Sequence, residues 1–286
     1  MTLPTATRAR PRAASRRATW LSVGLFAALG LTLGLPLLVA ALWSLVDPKT
    51  GWFAPDLVPP SVSTHFWQTT LRDPSILEAF GLSLLIGGFV TVLSSALALP
   101  TAYALARIPF RAKRLIELFV LAPLIVPGII IAIGLGTLFL RLGLAYSVLG
   151  VVLVQTVGTL PLMIRILTAT LEGIPEDLLR VARTLGASPA QVGWHVIVPL
   201  ARPGFLAGGL LTFISSFEEF DKTFIVGAPF VQTLTTKLWA FLGGQLIIFP
   251  SAAVVTFALM VPTLIIFFVA ERFAKENVMA AGMGKL

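Results

Sequence analysis

Residues 172–204 read EGIPEDLLRVARTLGASPAQVGWHVIVPLARPG, a patterned polar stretch set between long apolar runs. Pro175 suits the first turn of a helix, and Glu176 and Asp177 complement the positive end of its dipole. Leu178, Leu179, Val181, Ala182 and Leu185 then supply an apolar stripe. Gly186 is placed to stop that helix. Ser188 fits a second N-cap with Pro189 at the first helical position, after which Val192, Trp194, Val196 and Ile197 lead to a stop at Pro199. The spacing predicts two short helices joined by a turn. Taken alone, such a segment reads equally well as an amphipathic loop resting on a membrane surface.

Outward from this stretch the chain is almost entirely apolar. Of its 286 residues, 57% are hydrophobic and 12% charged, against roughly 25% charged in soluble domains, and the mean hydropathy is +0.94. A helix needs about 20 mainly apolar residues to cross a bilayer core. Six segments meet that template, at 20–46, 76–106, 115–140, 147–171, 204–226 and 246–270. Every backbone N–H and C=O must be satisfied inside lipid, and these runs are far longer than barrel strands of about 10 residues. The expected fold is therefore an all-α polytopic membrane protein with six transmembrane helices.

The segments also set an organisation. A basic tail over 1–19 precedes the first span at 20–46, which exceeds the roughly 7–15-residue apolar region of a cleaved signal peptide and reads as a retained anchor. An external capping segment over 47–75 is marked by Pro48, Pro55, Pro59, Pro60 and Pro74 with Trp52, Phe53, Phe66 and Trp67. A core of five spans occupies 76–273 and contains the cytoplasmic loop 172–202, and a short tail follows over 274–286.

A net charge of +8 raises nucleic acid as a partner. The distribution of the charges removes it. With the N-terminus inside, the leading Arg8, Arg10, Arg12, Arg16 and Arg17 and the later cytoplasmic segments hold sixteen of the 21 Lys and Arg residues, leaving Lys49, Arg72, Arg141, Lys222 and Lys237 outside. That asymmetry places both termini in the cytoplasm and accounts for the basic balance by topology. Cysteine is absent, which excludes disulfides, thiol catalysis and zinc–thiolate sites. His65 and His195 fall on opposite sides of the membrane, and neither a Ser/His/Asp set nor a phosphate-binding loop occurs. Neither an enzyme nor a metal site is expected.

The loop resembles the "EAA" loop of ATP-binding-cassette (ABC) importer permeases: Glu-Ala-Ala, three residues, Gly, nine residues, then Ile-x-Leu-Pro. Gly186 and Pro199 stand at the glycine and proline positions, Ala182 at the second alanine, Val181 at the first, and Val196 and Val198 at the isoleucine and leucine. Arg180 stands where the family has glutamate, a reversal of charge, with Glu176 and Asp177 one turn earlier. The resemblance implies the type I ABC importer (MetI-like) permease fold in a prokaryotic inner membrane. It also implies a coupling role for the loop, through Arg180, Val181, Ala182, Leu185, Gly186, Ala187, Val196 and Pro199, on two copies of a separate ATPase that binds ATP and Mg, no cofactor being bound by this chain itself. The implied partners are a second, non-identical permease and an external substrate-binding protein. The stretches TAYALARIPFRAKR, LFVLAPLIVPGIIIAIGL and SFEEFDKTFIVGAPFVQTLTTKLW look like spermidine and putrescine permeases, which makes a polyamine the expected solute. Iron, phosphonate or an amino-acid-like compound is the alternative within the family. A proton-coupled secondary transporter is the rival outside it.

Charges inside a span cost about 2.5–3.5 kcal/mol at its centre and usually face a cavity or partner. Glu218, Glu219, Asp221 and Lys222 form the one dense cluster in an apolar run. In a helical fifth span beginning near Pro203, Glu218 lies about 22 Å along it. Glu218 and Asp221 would share a face at i, i+3 and attract an amine, so Glu218, Glu219 and Asp221 are candidates for the translocation path. Pairing of Glu218 with Lys222 at i, i+4 is the purely structural alternative.

Overall fold

The computed structural model describes residues 16–243 and 247–283, and apart from one isolated bridge its regular structure is helical. The arginines expected at positions 8, 10 and 12, the start of the sixth span at Leu246 and the end of the C-terminal tail lie outside the described residues. Four helices are long and apolar enough to cross a membrane, over Trp20–Ser44, Pro74–Arg107, Val148–Glu172 and Phe249–Val269. Two bent pairs, Lys113–Ile125 with Gly128–Leu142 and Pro189–Leu200 with Arg202–Phe217, bring the number to six if each pair is one span.

The chain divides into two units, at 1–65 and 66–286. The first unit holds α1 (Arg16–Ser44), which runs through Pro36, and the loop after it. That loop folds on itself: Val46 bridges Val62, Ser63 N donates to Leu45 O at 2.8 Å, and Trp43 meets Trp52 at 4.7 Å between ring centroids. The second unit opens on most of α2 (His65–Arg72), whose Trp67 stacks on Phe257 at 5.9 Å and whose Thr70 donates to Ser251 Oγ at 3.2 Å.

Next comes α3 (Pro74–Arg107), with Asp73 as N-cap accepting from Ser75 N. Those backbone and side-chain bonds from Ser75 hold the Asp73 carboxyl below the ordinary carboxylate range. The chain continues as α4 (Lys113–Ile125), α5 (Gly128–Leu142) and α6 (Val148–Glu172). The loop over 172–202 holds α7 (Glu176–Thr184), α8 (Pro189–Val192), a π-helical turn over Gly193–Ile197 and α9 (Val198–Leu200). After it come α10 (Arg202–Phe217), α11 (Asp221–Gly227), α12 (Leu234–Gly243) and α13 (Phe249–Met283).

Three sequence expectations need correction. The third segment, expected as one helix over 115–140, is two helices at 100°. Val126, preceding a proline, is extended (ψ 130°), and Pro127 (φ −53°, ψ 134°) has no N–H to carry the ladder across. The fifth span stops at Phe217, and residues 218–220 separate it from α11. Continuing the helix would have set two carboxylates on one face in an apolar setting. Beyond it α12 lies outside all six expected segments.

The centre of the second unit is the packing of α3, α6 and α10. Ala98, Ala102, Met163, Ile164 and Leu167 are buried together, and Phe213 and Phe217 of α10 stack at 5.9 Å beside Ile76 and Leu234. Close approach rests on small residues: a methyl at Gly204 would strike Thr170, and one at Gly208 would strike Met163 Sδ. Gly204 and Gly208 are four apart on one face of α10, the small-xxx-small spacing that lets membrane helices meet at backbone distance. Replacing Gly208 by valine is expected to force α10 from α6, costing about 1–3 kcal/mol. Thermal unfolding of the purified protein in detergent measures this as a lower Tm, whereas Gly88→Val, at an open position, leaves Tm unchanged.

Candidate functional site

The loop over 172–202 has two unlike faces. Leu179, Val192 and Ile197 are buried against Leu105 of α3 and Leu167 and Leu171 of α6, with Ala182, Ala187 and Val196 half-buried on the same cluster. Of the expected coupling residues, Ala182, Ala187 and Val196 therefore serve the protein's own core. The opposite face carries Leu178, Val181, Leu185 and Trp194, which are 46%, 55%, 82% and 72% exposed. On α7 the first three fall at i, i+3 and i+7, one stripe of a helix.

Local signals set this geometry. Pro175 (φ −59°, ψ 132°) is the N-cap of α7 rather than its first helical residue. Gly186 turns the chain at φ +86°, a left-handed conformation that glycine adopts without Cβ strain, and Ala187 N returns to Ala182 O at 3.1 Å. Ser188 and Gln191 form a reciprocal capping box with Pro189 following. Pro199 does not end the second helix, which runs on to Leu200. The π turn, closed by Val198 N on Gly193 O, adds a residue upstream and makes room for the ring.

Arg180 is exposed and held within α7, 2.7 Å from Glu176 Oε2 and 4.0 Å from Asp177 Oδ1. Both carboxylates come from the preceding turn, so the positive charge at the family's glutamate position is locally compensated. At the loop's entry Arg107, the last residue of α3, donates to the carbonyls of Leu171 and Ile174. In the sequence Arg107 is one of the basic residues that follow the second apolar run, and its carbonyl partners lie more than sixty residues away. Trp194 was legible as apolar but not as outward-facing.

The charge cluster is taken apart by the break after Phe217. Glu219 Oε2 lies 2.5 Å from Lys222 Nζ, with side chains only 16% and 10% exposed. Lys222 lies across Gly158 of α6, where a methyl would come within 2.6 Å of its Cε, and a methyl at Gly128 would lie 3.4 Å from Asp221 Oδ2 and 3.6 Å from Lys222 Nζ. Asp221 thus sits at the N-terminus of α5, where the helix dipole favours a carboxylate. Glu218 turns elsewhere: it accepts from Thr263 Oγ1 at 3.0 Å and lines a cavity of about 460 Å³ with Phe220, Leu238, Trp239 and Met260. Glu218 and Asp221 do not share a helix face, and the ion pair is Glu219 with Lys222, not Glu218 with Lys222.

Beside the cluster runs a buried neutral network. Gln155 Nε2 donates to Thr223 Oγ1 at 2.7 Å, Ser216 donates to Gln155 Oε1, and Ser94 and Thr159 share a bond of 3.1 Å. Thr212 Oγ1 is buried without a partner among the described residues. Gln155 was missed by charge-based reading, though an amide inside VVLVQTVGTL was its visible signal.

The second unit is thus a bundle of close-packed apolar helices with a two-helix loop folded onto their ends. The family model for the inner membrane component of binding-protein-dependent transport systems matches residues 96–277, and the chain belongs to that family. It is thus the membrane permease component of an ABC importer, with ATP hydrolysis carried out on a separate subunit. The molybdenum transport permease ModB of Mycobacterium tuberculosis is 35% identical over 210 residues, 69% of this chain and 78% of the relative. The spermidine/putrescine permease PotC of Shigella flexneri is 24% identical over 220 residues, 77% and 83% of the two chains. A bacterial ABC transporter that imports the acidic polysaccharide alginate has the same fold, with a TM-score of 0.73 at 19% identity over 93% of this chain and 99% of that one.

Breaking a buried ion pair from one side leaves an uncompensated charge and costs about 3–5 kcal/mol. Lys222→Met is accordingly expected to lower the thermal stability of the purified protein sharply. Adding Glu219→Gln should restore most of the loss, as measured by Tm in detergent.

Proposed function

We propose that this permease moves a small tetrahedral oxyanion of the molybdate class into the cell. The observation that carries this reading over a polyamine is the compensation of the charge cluster. Lys222 occupies Glu219, and Asp221 is held at the N-terminus of α5, so the three carboxylates do not converge as an amine attractor. The identity of 35% to a molybdenum permease, against 24% to a polyamine permease, points the same way.

In this reading both termini are cytoplasmic, as the charge asymmetry requires. An external binding protein delivers the solute and a second permease chain encloses the path. Paired ATPases, binding ATP and Mg, grip the loop through Leu178, Val181, Leu185 and Trp194. The helix-in-groove mode suits these residues, since a single apolar stripe on a short helix is what a hydrophobic groove accepts. Closure of the ATPases moves the loop and opens the path outward, and hydrolysis returns it inward.

The test is uptake into proteoliposomes containing this chain with its ATPase, its second permease chain and its binding protein. ATP-dependent accumulation of molybdate, with none of spermidine, is the expected result. Accumulation of spermidine instead would overturn the solute assignment, and uptake without ATP would overturn the importer mechanism.

A further inference from the structure

We infer that Arg107 is the positioning residue that makes the cytoplasmic loop and span α3 move as one body. This inference rests on the coupling role proposed for the loop. Helix α6 ends at Glu172 and the first loop helix begins at Glu176, so residues 173–175 are the only covalent link between span and loop at this end. A link of three residues, one of them Gly173, would flex if nothing braced it. Arg107 braces it from a different helix: one guanidinium nitrogen donates both to Leu171 O, in the last turn of α6, and to Ile174 O, one residue before the α7 N-cap. The two acceptors lie on either side of the Gly173 cap. Holding both fixes the angle between span and loop.

The choice of side chain follows from the acceptors. The last carbonyls of a helix have no intrahelical donor and carry the negative end of its dipole, so a cation is favoured there. A planar guanidinium presents several donors in a fixed plane, whereas an ammonium is a compact point charge on a flexible stem. No carboxylate lies within ion-pair distance of Arg107 among the described residues, so its charge is committed to these carbonyls.

Beneath the clamp the contact is apolar. Leu105, two residues from the end of α3, is buried with Leu171, Ile174 and Leu179 in the cluster that receives the loop's inner face. A displacement imposed on Leu185 or Trp194 from outside therefore reaches α3 along two parallel routes, the packed cluster and the guanidinium. The clamp is the directional one, because packing tolerates sliding where paired hydrogen bonds do not.

The experiment uses the whole transporter reconstituted with its ATPase, second permease chain and binding protein, comparing wild type with Arg107→Lys and Arg107→Gln. Three quantities are read: ATPase retained on purification, basal ATP hydrolysis, and solute transported per ATP hydrolysed. The expectation is full retention, basal hydrolysis within about two-fold of wild type, and a roughly ten-fold fall in transport per ATP in both variants, lysine giving no rescue. Hydrogen exchange on the same complexes should show faster exchange for amides of 176–184, with those of α10 unchanged. A wild-type transport-to-hydrolysis ratio in Arg107→Gln, or unchanged exchange over 176–184, overturns the inference. So does failure of both variants to assemble, which would make Arg107 a folding residue. Failure of the wild-type chain to retain the ATPase is a separate result, and it would overturn the coupling role of the loop instead.

Discussion

The burial of one face of a short polar loop against the ends of two membrane helices is the contact on which the rest of this structure depends. Leu179, Val192 and Ile197 leave water only by packing on Leu105, Leu167 and Leu171, and each such burial is favourable by about 1.5–3 kcal/mol. Once that face is committed, the opposite one is determined by helical geometry. Leu178, Val181 and Leu185 must then project away from the bundle, and they do so without any apolar cover of their own. A loop that merely lay on lipid would have no reason for two apolar faces. Two faces, one on the bundle and one outward, are what a part needs if it is to pass force between a soluble partner and a membrane core.

The cost of charge in an apolar medium shapes the other end of the molecule. A continuous fifth helix would have stacked Glu218 and Asp221 in the same low-dielectric setting, and the chain instead breaks after Phe217. The break sends three carboxylates to three different partners: Thr263 for Glu218, Lys222 for Glu219, and the N-terminus of α5 for Asp221. The last of these ties the two irregular spans together, because α5 begins where Pro127 has interrupted the third span. Glycines 128 and 158 admit the Lys222 side chain at the junction. Ion pair, proline break and glycine gaps thus form a single arrangement.

Much of this was legible in the sequence because the responsible signals are local. Apolar runs marked the membrane helices, Ser188-Pro189 marked a cap, and Gly186 marked a turn that has φ +86° in the structure. The misreadings share a cause: they concern what distant residues do to one another. Pro199 promises a helix end, yet a π turn over Gly193–Ile197, ending two residues upstream, absorbs it. Arg107 looks like a topology signal because nothing near it in sequence reveals the carbonyls of Leu171 and Ile174. Ala182 and Leu185 belong to the same apolar stripe by periodicity, and only the packed cluster separates the inward residue from the outward one. The helix over Leu234–Gly243 falls outside the six apolar runs because its ten residues are too few for a membrane span.

Membership of the importer permease family and the two-faced loop bear on each other, since the family assignment calls for a contact with an ATPase and the outward stripe offers one. The chain contains no cysteine, so a single Leu185→Cys substitution gives a maleimide one target in it. The most direct measurement is the labelling of that cysteine in inside-out vesicles, with and without the co-expressed ATPase. The outward stripe as docking face predicts rapid labelling of the permease alone and protection when the ATPase is bound. Equal labelling in both preparations would contradict it.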